Sequence, residues 1–154
     1  MARLKIGDII EIKTQKGLSY AQYTHKNKLL GTLLRVFSTI YAIRPVSYEK
    51  VIEDDLRFTI FFPLQAAINQ KIVEVVSNLN IPLKYKNFPL FRTGVINPKT
   101  DKVDTWWLWD GDKELKIGKL NNEQKQYPIR GIWNDTLLIE RIDNDWKPKP
   151  DSYV

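Results

Sequence analysis

The stretch Thr105-Trp-Trp-Leu-Trp-Asp-Gly-Asp-Lys-Glu-Leu-Lys-Ile-Gly-Lys-Leu120 decides how the rest of the chain is read. Three of the five tryptophans fall within 106–109, and Asp110-Gly111-Asp112 follows at once. Aromatic and β-branched residues on both sides of an Asp-Gly pair predict a hairpin, because Asp and Gly accept the backbone angles of tight turns. A turn centred on Asp110-Gly111 sets Leu108 opposite Lys113. A turn centred on Gly111-Asp112 sets Leu108 opposite Leu115. Both registers have the same parity, so both predict the same faces. Trp106 and Leu108 share one face with Leu115 and Ile117, which is expected to be core. Trp107 and Trp109 share the other with Glu114 and Lys116. That second face is either another packed layer or a binding surface.

Upstream of the hairpin, alternation predicts strands over 6–14, 18–25 and 29–37, with polar breaks at Gln15-Lys16-Gly17 and Lys26-Asn27-Lys28. Ser47 is placed to cap a short helix over 50–55, followed by a strand over 57–62. Pro63 suits the first position of a short helix running through Ile68. The nearly all-apolar run Lys71 to Ser77 predicts a buried or nearly buried strand. Residues 80–89, with Pro82 and Pro89, read as loop, 90–95 as a short strand carrying Arg92, and Asn97 to Asp101 as a turn. Asn134 and Asp135 predict a helix over about 135–142, with a strand as the alternative because Thr136 to Ile142 is rich in strand formers. Residues 146–154, containing Pro148 and Pro150, are expected to be irregular. The fold class that follows is α+β and β-rich. It is a single domain over 1–154, built on a strongly bent antiparallel sheet or partly open barrel with two or three short helices.

Composition narrows the function. The chain has no cysteine, which removes disulfide and thiolate chemistry and fits a reducing compartment. Its charged opening lacks the apolar run of a signal peptide, and no apolar run reaches membrane-spanning length. A cytoplasmic protein without a membrane partner is expected. The net charge of +6 is uneven: residues 1–36 hold seven basic and two acidic groups, residues 101–154 nine and eleven. A basic front half suits an acidic partner, nucleic acid included.

Reaction chemistry finds little footing. One histidine and no cysteine leave too few ligands for zinc. The run Glu53-Asp54-Asp55 lacks the spacing and glycine of a calcium loop. His25 is the only base for a triad, and no Gly-x-Ser-x-Gly elbow accompanies it. The glycines are scattered, so no phosphate loop is formed. Asp110 and Asp112 make a carboxylate pair beside tryptophans, but turn geometry alone accounts for aspartate there. No enzyme activity, metal or cofactor is therefore expected. Binding chemistry remains. Trp107 and Trp109, with Tyr20, Tyr23, Arg35 and Arg92, are the expected partner-binding surface, and Asp110 and Asp112 its polar rim. The same aromatic and basic set is suited to stacking on single-stranded bases, which gives nucleic-acid binding as the alternative.

Three stretches also carry a resemblance. Lys5-Ile-Gly-Asp-Ile-Ile-Glu-Ile, Tyr20-Ala-Gln-Tyr and Gly31-Thr-Leu-Leu-Arg-Val-Phe resemble the opening of the immunity protein 26 family of bacterial polymorphic toxin systems. The resemblance covers roughly residues 5–37. It implies an α+β protein without catalytic activity that binds and neutralises a partner toxin. The positive net charge departs from the acidic balance of many immunity proteins. The resemblance transfers no individual site residue.

Overall fold

The computed structural model describes residues 3–154; Met1 and Ala2, at the start of the charged opening, lie outside them. The chain divides into two compact units, Met1–Asn87 with Gly131–Lys147, and Phe88–Arg130 with Pro148–Val154. The protein is β-rich α+β, with antiparallel sheets that do not close into a barrel and two α-helices.

The first unit is built on β1 (Asp8–Thr14), β2 (Gly17–Asn27), β3 (Gly31–Phe37), β4 (Leu56–Phe62) and β5 (Val73–Asn78). They form one antiparallel sheet in the order β4-β3-β2-β1-β5. The first three strands are the meander expected from alternation. Gly17 (φ +135°) opens β2 where a Cβ would lie 2.7 Å from the Tyr41 carbonyl oxygen, so the turn requires glycine.

Both faces of this sheet are covered. Ile10, Ile12, Leu34, Val36, Phe58 and Ile60 pack against α1 (Leu64–Asn69) and α2 (Asp135–Asp143). Ile9, Tyr20 and Phe37, on the other face, pack under Tyr48, Val51 and Ile52. α2 is a helix and not the alternative strand for a local reason. The Asn134 side chain accepts from the Leu137 N–H at 2.8 Å, which satisfies one of the free donors of the first turn. Leu138 and Ile142, one turn apart, are then fully buried.

Two expectations are corrected here. The helix expected over 50–55 is a single 3₁₀ turn, Val51–Glu53, which Lys50 precedes, and no side chain caps it. The strand expected to be buried is β5, which lies at the sheet edge with only Val73 buried. Its apolar run has another origin: Val73 and Val75 face the helix-covered core, while Val76 packs into the cluster on the opposite face.

The second unit contains β6 (Phe91–Thr93), β7 (Ile96–Asn97), β8 (Lys102–Val103), β9 (Trp106–Trp109) and β10 (Glu114–Gly118). β10, β9 and β6 form a three-stranded sheet, and β7 and β8 a two-stranded hairpin around the expected turn. The tryptophan hairpin takes the register with Leu108 opposite Leu115, the one centred on Gly111-Asp112. A bulge then sets Gly118, not Ile117, opposite Trp106. Residues 148–154 form no helix or strand but are tied into this unit, since the Arg92 guanidinium donates to the Lys149 and Ser152 carbonyls at 2.9 and 3.3 Å. Among the described residues, no helix is long and apolar enough to cross a membrane.

A cleft at Trp107 as candidate functional site

The hairpin register dictates which side chains share the tryptophan face. Phe91, Trp109 and Glu114 make one cross-strand row, and Thr93, Trp107 and Lys116 the next. The two rows meet different surroundings. Trp109 is 5% exposed, with its ring centroid 5.7 Å from that of Phe88 and 5.6 Å from that of Phe91. The Arg130 guanidinium lies 5.1 Å from the Trp109 ring centre, a cation–π contact. Arg130 also holds Glu114 at 2.9 Å. Trp107 is half-buried and lines a cleft of about 590 Å³ in the second unit.

The β7–β8 hairpin supplies the facing wall of this cleft. Asn97 shapes it: its side-chain oxygen accepts from Lys99 N at 2.9 Å, and its carbonyl from Asp101 N at 2.8 Å. Asp101 takes a left-handed φ of 57° to close the turn, a conformation that aspartate tolerates. The Asn97 amide in turn donates to Asp104 at 3.2 Å and orients that carboxylate. Gly94 bends the chain where a Cβ would come within 2.3 Å of a Val103 methyl. Next to it, Val95 is 88% and Ile96 41% exposed. The site is therefore an aromatic wall and two exposed apolar side chains, with Asp104 and the Glu114–Arg130 pair as its polar groups. Such a lining suits non-covalent binding of a side chain or short segment.

The other residues expected to share this surface are placed differently. Asp110 and Asp112 are exposed at the hairpin tip, outside the cleft lining. Asp110 Oδ1 accepts from Lys113 N at 2.7 Å and Asp112 N at 2.9 Å. These two backbone bonds, that from Lys113 first, hold its carboxyl below the usual aspartate range. Its position is that of a turn residue.

Tyr20, Tyr23, Arg35 and Arg92 are at most 6% exposed, so the expected aromatic and basic surface is not assembled. Each has an internal role. The Tyr20 hydroxyl donates to buried Glu11 at 2.8 Å. Tyr23 packs in the helix-covered core. Arg35 donates to the Asn87 carbonyl at 2.8 Å and sits 5.2 Å from the Tyr85 ring centre. Burial pushes its guanidinium down to about 10. Arg92, 1% exposed, lies 5.2 Å from the Trp106 ring centre and donates Nε–H to the Tyr127 carbonyl at 3.1 Å. Burial lowers its pKa as well.

Opposite Trp107 and Trp109, the face expected to be core is only half covered. Trp106 is buried with Val103 and Leu120, while Leu115 is 64% exposed on the outer strand. Nothing in the sequence marks Val95, Ile96, Asn97 and Asp104 as one wall of a site. The signal nearest to them in the sequence is the Asn97–Asp101 turn itself. Among the described residues, no group of three or more His, Cys, Asp or Glu is placed to hold a metal ion. Comparison with protein-family models, with curated proteins and with solved structures finds no match.

Proposed function

We propose that this chain is a non-enzymatic binding protein of the immunity type, which neutralises a partner toxin by seating part of it in the Trp107 cleft. The observation that carries the reading is the contrast along β9. Trp109 is consumed by packing, while Trp107 stays half open beside the exposed Val95 and Ile96. A large aromatic held by a rigid sheet next to exposed apolar side chains is the usual make-up of an interface anchor, since it buries area at low entropic cost. Glu114 is paired with Arg130 in the cleft lining, so among the described residues Asp104 is the carboxylate left without a cationic partner there, and Asp110 adds a fixed carboxylate at the hairpin tip. These suit a basic partner surface and compensate for the positive charge elsewhere in the chain. The resemblance over residues 5–37 supports the same class of function. The protein works in the cytoplasm on this reading.

The test is a titration of the purified protein with the toxin domain encoded beside it, alongside a growth assay of cells expressing that toxin. Submicromolar affinity and rescue of growth are expected. Trp107→Ala should weaken binding by at least about 30-fold, roughly 2 kcal/mol, the size of an interface hot spot. A Trp107→Ala protein that binds and rescues like the parent would remove the cleft from the proposal. Absence of any complex would remove the immunity reading.

A further inference from the structure

The five-stranded sheet ends on β5, and among the described residues no strand pairs with its outer edge. The opposite end is treated differently. Phe61 of β4 donates its N–H to the Gly131 carbonyl at 3.1 Å and accepts from Trp133 N at 3.0 Å, so residues 131–133 cover that edge. An open edge strand is a template for another chain, and proteins usually blunt it with lysine or proline. β5, Val-Glu-Val-Val-Ser-Asn, contains neither, and its bulge at Val76 leaves Val73 to Val75 in regular pairing with β1.

A groove of about 670 Å³ runs beside this strand, with Ile68, Val73 and Val75 as its apolar lining. The strand register distributes its charges. Ile12 stands opposite Val73, which puts Lys13 and Lys71 at the start of β5. Asp8 stands opposite Asn78, which puts Arg3 and Lys5 at its end. All four cations are exposed, and no salt bridge joins any of them to a described carboxylate. The two acids of the groove are already engaged. Asp8 accepts from Lys5 N and from the Asn78 amide, both at 2.9 Å, and Glu74 pairs with Arg44 at 3.1 Å.

We propose that β5 accepts an extended acidic peptide segment of a partner protein as a sixth strand. Backbone hydrogen bonds to the open edge would supply affinity, and the groove would select the side chains. The segment has apolar residues at its centre, over Val73 and Val75, and carboxylates at both ends. Six residues of strand span roughly 20 Å, more than the ~8 Å screening length at physiological salt, so each basic end needs its own carboxylate. This surface lies wholly in the first unit and does not depend on the Trp107 reading.

The experiment uses the full chain and a fluorescein-labelled heptapeptide with acidic residues at both ends and Val-Thr-Val between them, followed by anisotropy at low salt. Saturable binding is expected. The double variants Lys13→Glu with Lys71→Glu, and Arg3→Glu with Lys5→Glu, should each weaken it by about tenfold while circular dichroism stays unchanged. Two N-methylated peptides, blocked at alternate amides, separate strand pairing from charge alone. Only every second N–H of an added strand faces β5, so one of the two should bind like the parent peptide and the other at least about tenfold more weakly. Trp107→Ala should leave this affinity unaltered, which keeps a failure here distinct from a failure of the cleft. No saturation by ~1 mM peptide would overturn the proposal. So would equal binding of both N-methylated peptides, or tighter binding of a single-stranded oligonucleotide of the same charge.

Discussion

Trp107 and Trp109 point from the same face of one strand, yet Trp109 is 5% exposed beneath Phe88 and Phe91 while Trp107 stands half open at the cleft. Their removal should therefore separate stability from binding. Trp109→Ala is expected to destabilise the protein by about 3–5 kcal/mol, since it empties a packed aromatic cluster and leaves Arg130 without its ring. Trp107→Ala is expected to cost less than about 1 kcal/mol of stability while removing partner binding. Urea denaturation of both variants, paired with the toxin titration, checks the separation.

Gly111 holds the hairpin tip at φ +98°, and a Cβ there would come within 2.8 Å of the Phe88 ring. Gly111→Ala therefore strains the backbone and pushes on the cluster that buries Trp109. A loss of roughly 1–3 kcal/mol is expected. Near-ultraviolet circular dichroism should change with it, because the displaced rings are the chromophores.

Glu11 is 2% exposed and accepts from the Tyr20 hydroxyl at 2.8 Å and from Arg44 Nε and Nη2 at 2.8 and 2.9 Å. Glu11→Ala would take from the hydroxyl of fully buried Tyr20 its carboxylate acceptor. The expected loss is about 1–3 kcal/mol. The double variant Glu11→Ala with Tyr20→Phe removes both partners and should recover part of it, a comparison that denaturant midpoints resolve.

Acid should weaken the fold in two steps. His25 bonds the Lys86 carbonyl through Nε2 at 2.8 Å and Thr24 Oγ1 through Nδ1 at 2.9 Å. Burial holds its pKa below the ordinary 6.5, and nearby Arg35 adds to this against the opposing effect of the Lys86 bond. The unfolded chain thus takes up the imidazole proton first as pH falls through 6.5, and stability declines until the folded form is protonated too. Glu11 and Asp145 act lower. Hydrogen bonds from Arg44 and Arg57 hold their pKa values beneath the ordinary 4.5 and 3.8, and the stability they confer is lost as pH falls through that range. His25→Gln should flatten the decline that sets in as pH falls through 6.5 and leave the second in place, as measured by urea midpoints across pH.

The parts of the fold that were legible rest on local rules. The Asp-Gly turn and the apolar alternation around it determined which residues share a face of the hairpin, while the choice between its two registers, with Leu108 opposite Leu115, is visible only in the fold. The Asn134 cap marked the start of α2. What could not be read depends on partners distant in sequence. Arg92 and Arg35 look like surface cations until the carbonyls of Lys149, Ser152 and Asn87 arrive to solvate them. Val73 to Val76 looks like a central strand because both faces of β5 are packed, although its edge is open. The cleft wall is illegible in the sequence for a similar reason: β7 and β8 have two residues each, too few to show alternation.

The way the chain returns to each unit has a consequence for synthesis. The first unit waits for Trp133, Leu138 and Ile142 to fill the helix-covered core. The second waits for Lys149 and Ser152, whose carbonyls receive the Arg92 guanidinium, and for Tyr153, whose carbonyl receives Val103 N–H at 2.8 Å. Neither core can close while those residues are still inside the ribosome. At about 5–20 residues per second, the β1–β2–β3 meander is made seconds before α2, which completes the cover that α1 begins. The nascent chain thus carries a partly uncovered apolar sheet for that interval.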